Sequence, residues 1–203
     1  MSPGQITYHT SPVQAEVMLI GLSGWMDAGE VSTGVIELLC EKIPTTTYAT
    51  LNPEGFYIYN FPGTMEVTAL FRPHIQITDG LIAEYQTPVN VFFHAPEHKL
   101  MLFHGKEPNL NWKSFCEAIF EVVRQCHIHR VYFIGSIAGL VPHTREPRIT
   151  ASYSSRQLKD DMTTYNLLPV NYEGPASIVN ELMIAATRDH VEMINLVAEI
   201  PAY

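Results

Sequence analysis

Hydrophobic and polar positions follow two patterns along the first fifty residues. Residues 17–23 form a short, continuous apolar run, which is typical of a strand buried on both faces of a parallel sheet. Apolar residues then recur at helical spacing from Val31 to Leu39, and the spacing of Asp27 and Glu30 before them predicts a capping box. This stretch therefore predicts a strand, a glycine-containing turn and a helix, which is the first half of a βαβ unit.

The middle of the sequence carries short extended patterns instead of long helical ones. Asp79-Gly80 is the strongest signal, because Asp-Gly between two such runs is typical of a two-residue hairpin turn. A second pair of runs is joined through Pro96-Glu97-His98. We expect an antiparallel hairpin region that either continues the main sheet or covers one of its edges. The predicted strands are residues 47–51, 56–60, 72–78, 81–85, 89–94 and 99–104.

Helical periodicity returns at residue 111 and alternates with strands to the end of the chain. Pro175 is expected at the first position of the last helix, where its missing N–H costs nothing. The connection over residues 137–153 is long for a link between a strand and a helix, so we expect it to be functional or an oligomer contact. The predicted helices are residues 111–126, 155–165 and 174–188, and the predicted strands are residues 130–136, 169–172 and 193–200.

The order of these elements predicts the fold class. Strands that alternate with helices favour α/β architecture, here a three-layer α/β/α sandwich with a mostly parallel sheet and an antiparallel hairpin region in the middle. No internal repeat or low-complexity tract divides the sequence. We therefore expect a single α/β domain over residues 1–203.

Composition and charge remove several classes of protein. The chain has 203 residues, with 12 Lys and Arg against 21 Asp and Glu, which gives a formal net charge of −9. Nucleic acid is not an expected partner, because such a protein would carry a basic stripe. No run approaches the roughly 18 apolar residues of a membrane span, and the polar N-terminus lacks the layout of a signal peptide. The three cysteines fit no zinc or redox motif, and two of them fall inside helical patterns, which indicates buried thiols in a reducing compartment. With no span or signal peptide, we expect a cytoplasmic protein without membrane contact.

Three glycine-containing turns share one layout, in which a strand is followed by the turn and then by a helix. In a parallel sheet such turns lie at one edge, where ligands usually bind and helix N-termini offer N–H groups to an anion. Each turn alone is equally explained by the tight turns that any α/β protein needs. The candidate ligand-binding or interface residues in these turns are Trp25, Asp27, Gly29, Ser136, Gly139, Glu173 and Gly174.

One loop concentrates His143, Arg145 and Arg148 in an otherwise acidic chain. Two prolines restrict this loop, so it presents its guanidinium groups with less loss of entropy. An arginine pair could clamp a carboxylate or a phosphate with paired hydrogen bonds. It could equally pair with an acidic residue such as Glu173 or Asp27, or form a subunit contact. These three basic residues complete the set of candidates.

Known catalytic motifs are incomplete in this sequence. It contains neither a phosphate-binding loop nor the fingerprint of a dinucleotide site. Gly21-Leu-Ser23-Gly-Trp25 resembles a nucleophile elbow, but Trp25 replaces the last glycine, and neither Ser23 nor Ser136 has an assignable base. The nine histidines form no ligand set with Cys, Asp or Glu. We therefore assign no catalytic residue, no metal and no cofactor, and whether the protein is an enzyme stays open.

Several short motifs spread over residues 17–203 occur together. They are Gly24-Trp25-x-Asp27-Ala28-Gly29, Asp79-Gly80, Gly105-x-Glu107-Pro108 followed by Trp112 and Phe115, Val141-Pro142-His143-Thr144-Arg145, Tyr172-x-Gly174-Pro175 and Glu199-x-Pro201. In this combination the sequence resembles the proteasome assembly chaperone family, in the bacterial and archaeal branch named after the second eukaryotic chaperone subunit. The Pro-His-Thr-Arg loop is the most specific of the motifs.

The resemblance implies a fold of the phosphorylase/hydrolase-like type. It also implies a non-enzymatic assembly chaperone or scaffold that forms a homo-oligomer and contacts a protein partner of the proteasome type. The residues themselves support an alternative, a small-molecule enzyme or ligand sensor with an anion-binding site at the rim of the sheet. In that alternative Asp27 acts as the acid or base, His143 and Arg145 hold the anion, and Glu173 supplies a second carboxylate.

Overall fold

The structure, a computed structural model, describes residues 5–203, with the side chain of residue 161 left out. Two predictions begin at Met1: the single domain over residues 1–203 and the polar N-terminal segment. The first four residues of both lie outside the described residues. No helix in the described part of the chain is long and apolar enough to cross a membrane.

Strands and helices alternate over most of the described chain. The strands are β1 (Ile6–Tyr8), β2 (Val17–Ser23), β3 (Thr46–Leu51), β4 (His74–Thr78), β5 (Leu81–Gln86), β6 (Val91–Ala95), β7 (Leu100–Lys106), β8 (Arg130–Gly139), β9 (Ile149–Tyr153), β10 (Leu168–Pro169) and β11 (Glu192–Pro201). The helices are α1 (Val31–Lys42), α2 (Met65–Ala69), α3 (Trp112–Gln125), α4 (Arg156–Met162) and α5 (Ile178–Arg188). Short 3₁₀ turns cover Ala28–Glu30, Pro96–His98 and Thr163–Tyr165.

Nine of the strands in residues 5–203 form one sheet in the order β1-β3-β6-β7-β2-β8-β11-β9-β10. The four central strands, β7, β2, β8 and β11, are parallel to one another. The flanking pairs β1–β3, β3–β6, β6–β7 and β9–β11 are antiparallel, whereas β10 is parallel to β9. The central strands carry the continuous apolar runs that a sheet covered on both faces requires.

Alternation along β2 shows that helices cover both faces of the sheet. Met18 and Ile20 are fully buried in the same core cluster as residues of α3 and α5. Gly21 faces the other side, where a Cβ atom would lie 2.3 Å from the carbonyl oxygen of Ser32 in α1. Helix α4 packs on that same side as part of a smaller cluster around Leu158 and Ile194. The predicted three-layer α/β/α sandwich with a mostly parallel central sheet is therefore confirmed.

Helix α3 provides the largest helical contribution to the core. Phe115, Ile119 and Val122 are fully buried, as the apolar spacing of the sequence predicts. The ring of Phe115 makes an edge-on contact with the ring of Phe56, whose centroid is 5.2 Å away. Edge-on aromatic pairs of this kind add stability beyond the area that they bury. The core therefore includes Phe56, which lies in a loop that the sequence analysis assigned to a strand.

Several predicted boundaries are wrong. Residues 56–60 form turns and bends instead of a strand. The long loop predicted over 137–153 is in fact shorter, because β8 continues to Gly139 beside β11 and residues 149–153 form β9. The last helix begins at Ile178 instead of Pro175, because Ser177 and Asn180 form a capping box there.

The antiparallel hairpin region divides into two parts. The pair β6–β7 joins the main sheet, and β7 lies parallel to β2. The pair β4–β5 forms a separate two-stranded sheet through a turn in which Asp79 and Gly80 both have positive φ, as a two-residue hairpin of this type requires. The hairpin itself is confirmed; of the two pairs, β6–β7 continues the main sheet and β4–β5 does not.

Candidate functional site

The carboxyl ends of β2, β7, β8 and β11 lie at one edge of the sheet, which we call the rim. Because these four strands are parallel, the segments that follow them are brought together there. The segment after β2 contains Trp25, Asp27 and Gly29. An isolated parallel bridge joins Asp27 to Ser136 of β8, so two of the predicted turns do meet at this edge.

The carboxylate of Asp27 caps helix α1. Its Oδ1 accepts hydrogen bonds from the backbone N–H groups of Ser32 at 2.7 Å and Thr33 at 3.2 Å, and its Oδ2 accepts the Thr33 hydroxyl at 2.8 Å. The capping box predicted from Asp27 and Glu30 is wrong, because Glu30 has a left-handed φ of 56° and a 3₁₀ turn separates Asp27 from the helix. Asp27 therefore holds the start of α1 through a longer loop than the sequence suggested.

Ser136 fastens the loop after β2 to the sheet. It is fully buried within β8, its backbone N–H donates to the carbonyl of Met26 at 2.8 Å, and its hydroxyl donates to the carbonyl of Ala28 at 2.7 Å. Gly29 lies against β11, where a Cβ atom would approach Ile200 to 2.6 Å. The turn predicted over residues 135–139 is wrong, since these residues continue the strand. Ser136 has a structural partner for both of its donors.

Glu107, which follows β7, connects three segments at the rim. Its Oε2 accepts the backbone N–H of Trp25 at 2.7 Å, and its Oε1 accepts the N–H of Ile178, the first residue of α5, at 3.4 Å. Its own N–H donates to the carbonyl of Ser23 at 2.8 Å. A carboxylate at a helix N-terminus is stabilised by the helix dipole. Sequence reasoning did not include Glu107 among the candidate residues, and its only signal was its place in the Gly105-x-Glu107-Pro108 motif.

The basic loop lies beyond the end of β8 and is exposed from Pro142 to Arg148. The backbone N–H of His143 donates to the hydroxyl oxygen of Tyr203 at 3.2 Å, and the ring atom Nδ1 of His143 lies 3.0 Å from the same oxygen. None of the ion pairs within residues 5–203 includes Arg145 or Arg148. The expected pairing of these arginines with Glu173 or Asp27 is not found.

The remaining candidates do not converge on one point. Gly139 allows close contact with β11, because a Cβ atom there would lie 2.3 Å from Oε1 of Glu199. Glu173 and Gly174 follow β10, which runs opposite to the central strands, and both are exposed. The third predicted segment thus reaches the rim through Ile178 and Glu107 instead of through Glu173.

The outer surface of the rim is apolar and open. Trp25 is 71% exposed, Leu140 is fully exposed, and Tyr203 is largely exposed as well. Five surface pockets in the described part of the chain are lined by other residues, and no candidate residue lines any of them. Within residues 5–203, no three His, Cys, Asp or Glu side chains are grouped as metal ligands. The exposed side chains of the rim therefore form a surface that a partner can reach.

Comparison with known proteins agrees with this fold. A PAC2 family protein from Streptomyces avermitilis is 26% identical, with a TM-score of 0.75 over 93% of this chain and 77% of that one. A proteasome-assembly chaperone homologue from Mycobacterium tuberculosis is 25% identical, with a TM-score of 0.78 over 92% of this chain and 76% of that one. PbaB, an archaeal proteasome activator from Pyrococcus furiosus, shares the fold at 15% identity, with a TM-score of 0.69 over 98% of this chain and 80% of that one.

The comparison with curated protein sequences found no match. The family model is more decisive than any single structure, because it matches almost the whole described chain. Residues 21–203 match the model of the PAC2 family, and this range includes the rim and every candidate residue. The chain belongs to the PAC2 family.

Proposed function

We propose that the protein is a non-enzymatic assembly chaperone or scaffold that acts in the cytoplasm as a homo-oligomer and binds a partner of the proteasome type. Family membership supports a chaperone-like role with protein partners. The name of the Mycobacterium tuberculosis relative, a proteasome-assembly chaperone homologue, supports the type of partner. A fold alone hosts many functions, so the proposal depends on the chemistry of the rim.

One observation carries this proposal: Asp27, Ser136 and Glu107 at the rim bond to groups inside the protein, whereas exposed apolar side chains and two arginines lie on its outer surface. The carboxylates of Asp27 and Glu107 accept backbone N–H groups, and the Ser136 hydroxyl donates to a backbone carbonyl. A general acid, base or nucleophile must instead reach a substrate. Exposed Trp, Tyr and Arg side chains are the residues that contribute most to protein–protein binding.

The rim also indicates the chemistry of the partner. Arg145 and Arg148 are exposed and form no ion pair among the described residues, and Leu140, at the start of the same loop, is fully exposed. Guanidinium groups form paired hydrogen bonds with carboxylates. A partner segment that carries acidic side chains beside apolar ones would complement this surface.

Removal of the two arginines tests this proposal. Arg145→Ala/Arg148→Ala should reduce capture of the partner from a lysate of the source cells by at least about tenfold, because one or two charge-assisted hydrogen bonds to the partner are lost. Arg156→Ala/Lys159→Ala is the matched control, because it removes two exposed positive charges from α4 and should leave capture unchanged. Quantitative mass spectrometry of the captured proteins gives the ratio. Equal capture by the wild type and the Arg145/Arg148 variant would contradict the proposal.

The unpaired arginines also favour the second candidate, a ligand sensor with an anion-binding site. Pro142 and Pro147 flank the loop and limit its freedom, which suits a preformed anion site. Titration with inorganic phosphate and with citrate, followed by calorimetry, tests it. Binding that is lost in Arg145→Ala/Arg148→Ala would support the sensor, and the absence of heat from both anions would leave the chaperone as the better account.

A further inference from the structure

Residues 61–88, which we call the hairpin segment, contain α2, β4 and β5 and stand apart from the rest of the protein. Within residues 5–203, every hydrogen bond of this segment has both partners inside it, such as those between the Thr68 hydroxyl and the carbonyls of Phe61 and Thr64. The rings of Phe61 and Phe71 stack at 5.0 Å and hold the segment together internally. The rest of the described chain contributes no hydrogen bond to it.

Both faces of the β4–β5 hairpin are uncovered. Leu81 and Ile82 are adjacent in β5, so their side chains point to opposite faces, and they are 74% and 68% exposed. All the residues of β4 and β5 are exposed. An isolated two-stranded hairpin is marginally stable in water, because it has no apolar face to bury. This hairpin therefore needs a partner that the single chain does not supply.

The segment exposes a large apolar area for its length. Its exposed large side chains together present on the order of 1,000 Å² over both faces of the hairpin and over α2, if a fully exposed one is taken as roughly 150–200 Å². A standard interface buries about 800 Å² on each partner, which this surface can supply. With the flanking Tyr59 and Val89, the exposed side chains are Tyr59, Phe61, Met65, Val67, Leu70, Ile75, Ile77, Leu81, Ile82, Tyr85 and Val89.

We propose that the hairpin segment is the self-association surface of the protein and packs against the hairpin segment of a second copy. The proposal rests on the proposed function only in that the protein acts as a homo-oligomer. A two-fold arrangement places the same patch on both sides, so each copy covers the apolar surface of the other. A second copy of the chain is available wherever the protein is made. An apolar surface that must always be covered therefore has a partner at hand.

The charge of the segment argues against a membrane as its occupant and allows a second copy. It contains three acidic residues and one basic residue, a net charge of −2, in a chain of net charge −9. In a two-fold pair, Arg72 of one copy can face the carboxylates of the other, which offsets the repulsion between two acidic segments. A membrane-binding surface would carry several Lys or Arg residues around its apolar side chains, whereas Arg72 is the segment's one such residue.

The cross-strand pair Ile77 and Ile82 gives a sharp test. Ile77→Thr/Ile82→Thr keeps β-branched side chains in both strands but removes two exposed apolar groups. Multi-angle light scattering should give a multiple of 22.9 kDa for the wild type and 22.9 kDa for the variant. The association constant should fall by at least about tenfold. Leu38→Gln/Ile184→Gln, which changes two exposed aliphatic residues of α1 and α5, should keep the wild-type mass.

A second measurement covers the case in which the variant disturbs folding. Amide hydrogen exchange in residues 74–86 of the wild type should slow as protein concentration rises, because association covers the hairpin. A wild-type mass of 22.9 kDa at all concentrations, an unchanged mass in Ile77→Thr/Ile82→Thr, or exchange independent of concentration would each overturn the proposal. A monomeric wild type whose hairpin variant loses a co-purifying protein would also overturn it and assign the surface to another partner.

The outcome is separable from that of the proposed function. If the mass falls in Ile77→Thr/Ile82→Thr but Arg145→Ala/Arg148→Ala captures as much as the wild type, the self-association surface stands and the partner surface at the rim fails. If the mass is unaffected but capture depends on the arginines, the function stands and the hairpin proposal fails.

Discussion

The rim and the hairpin segment both expose apolar side chains, but they are built in opposite ways. At the rim, Asp27, Ser136 and Glu107 bond to backbone groups of neighbouring elements, so the exposed Trp25 stands on a loop that is fixed to the sheet. In the hairpin segment every hydrogen bond is local, and both faces of β4–β5 are open. The rim is therefore an outer surface of the core, and the hairpin segment is an attachment to it.

This difference separates two kinds of binding surface. A rigid surface such as the rim loses little entropy when a partner binds, which favours selective docking. A marginally stable hairpin gains its order from the molecule that covers it, which favours a permanent contact. The same substitution should therefore have unequal effects in the two regions: changes beneath the rim should destabilise the whole fold, and changes in the hairpin segment should leave the fold intact.

The largest expected effect is that of Gly21→Ala, beneath the rim. The added Cβ would lie 2.3 Å from the carbonyl oxygen of Ser32 and 2.5 Å from Cγ1 of Ile36, and the helix backbone cannot move aside cheaply. We expect the free energy of unfolding to fall by about 3 kcal/mol. Urea denaturation followed by circular dichroism measures it. Gly34→Ala in α1 is the control, since its Cβ meets open space, and it should be neutral or stabilising.

The next effect is that of Asp27→Ala, which removes the cap of α1. Three hydrogen bonds to Ser32 and Thr33 are lost, and we expect a destabilisation of about 2 kcal/mol, at the upper end for a helix cap. Glu30→Ala, in the same loop, should change stability little, because the Glu30 side chain is exposed. Thermal unfolding of the two variants compares them directly. Equal stability of both variants would show that Asp27 is free for another role.

A smaller and local effect is expected for Gly80→Ala at the tip of the hairpin. Gly80 has a φ of 77°, which costs a residue with a Cβ about 1 kcal/mol. Because the hairpin segment shares no hydrogen bond with the rest of residues 5–203, this cost should appear as faster amide exchange in residues 74–86 without a change in the global unfolding midpoint. A fall in the midpoint as large as that of Gly21→Ala would mean that the hairpin is part of the core.

The smallest effect concerns acid stability on the face opposite α1, where α3 and α5 meet. Hydrogen bonds from Arg188 and Arg124 hold the pKa of Asp189 below its ordinary value. A lowered pKa in the folded state gives stability that is present above the unfolded pKa of about 3.9 and is lost as the pH falls through the folded value. Asp189→Asn should remove this pH-dependent contribution to the free energy of unfolding. Solvent screening limits the contribution to less than about 1 kcal/mol. Unfolding curves between pH 2 and pH 6 measure it, and identical curves would contradict it.

The sequence predicted the fold better than the site. Apolar periodicity identified β2, α3 and the Asp79-Gly80 hairpin, because these depend on local spacing and turn chemistry. The spacing of Asp27 and Glu30 predicted a capping box that does not form. Gly29 and Glu30 adopt left-handed backbone conformations and insert a turn before α1, so Asp27 bonds to Ser32 and Thr33 instead. Packing against strands that are distant in sequence determines such backbone conformations.

Contacts that are distant in sequence explain the other errors at the site. Ser136 was expected in a turn, but β8 continues past it through pairing with β11. Glu107 joins Trp25 and Ile178, which lie 82 and 71 residues away, and no local pattern reveals such a contact. The cluster of Arg145 and Arg148 is visible in the local sequence, and the structure places both residues on the surface; their role as a binding site stays a prediction.

Sedimentation equilibrium of three proteins side by side tests most directly whether the two surfaces have separate roles. The wild type and Arg145→Ala/Arg148→Ala should share one mass, a multiple of 22.9 kDa, because the rim does not hold the oligomer together. Ile77→Thr/Ile82→Thr should sediment at 22.9 kDa, because the hairpin does. A rim variant that dissociates while the hairpin variant keeps its mass would contradict the account.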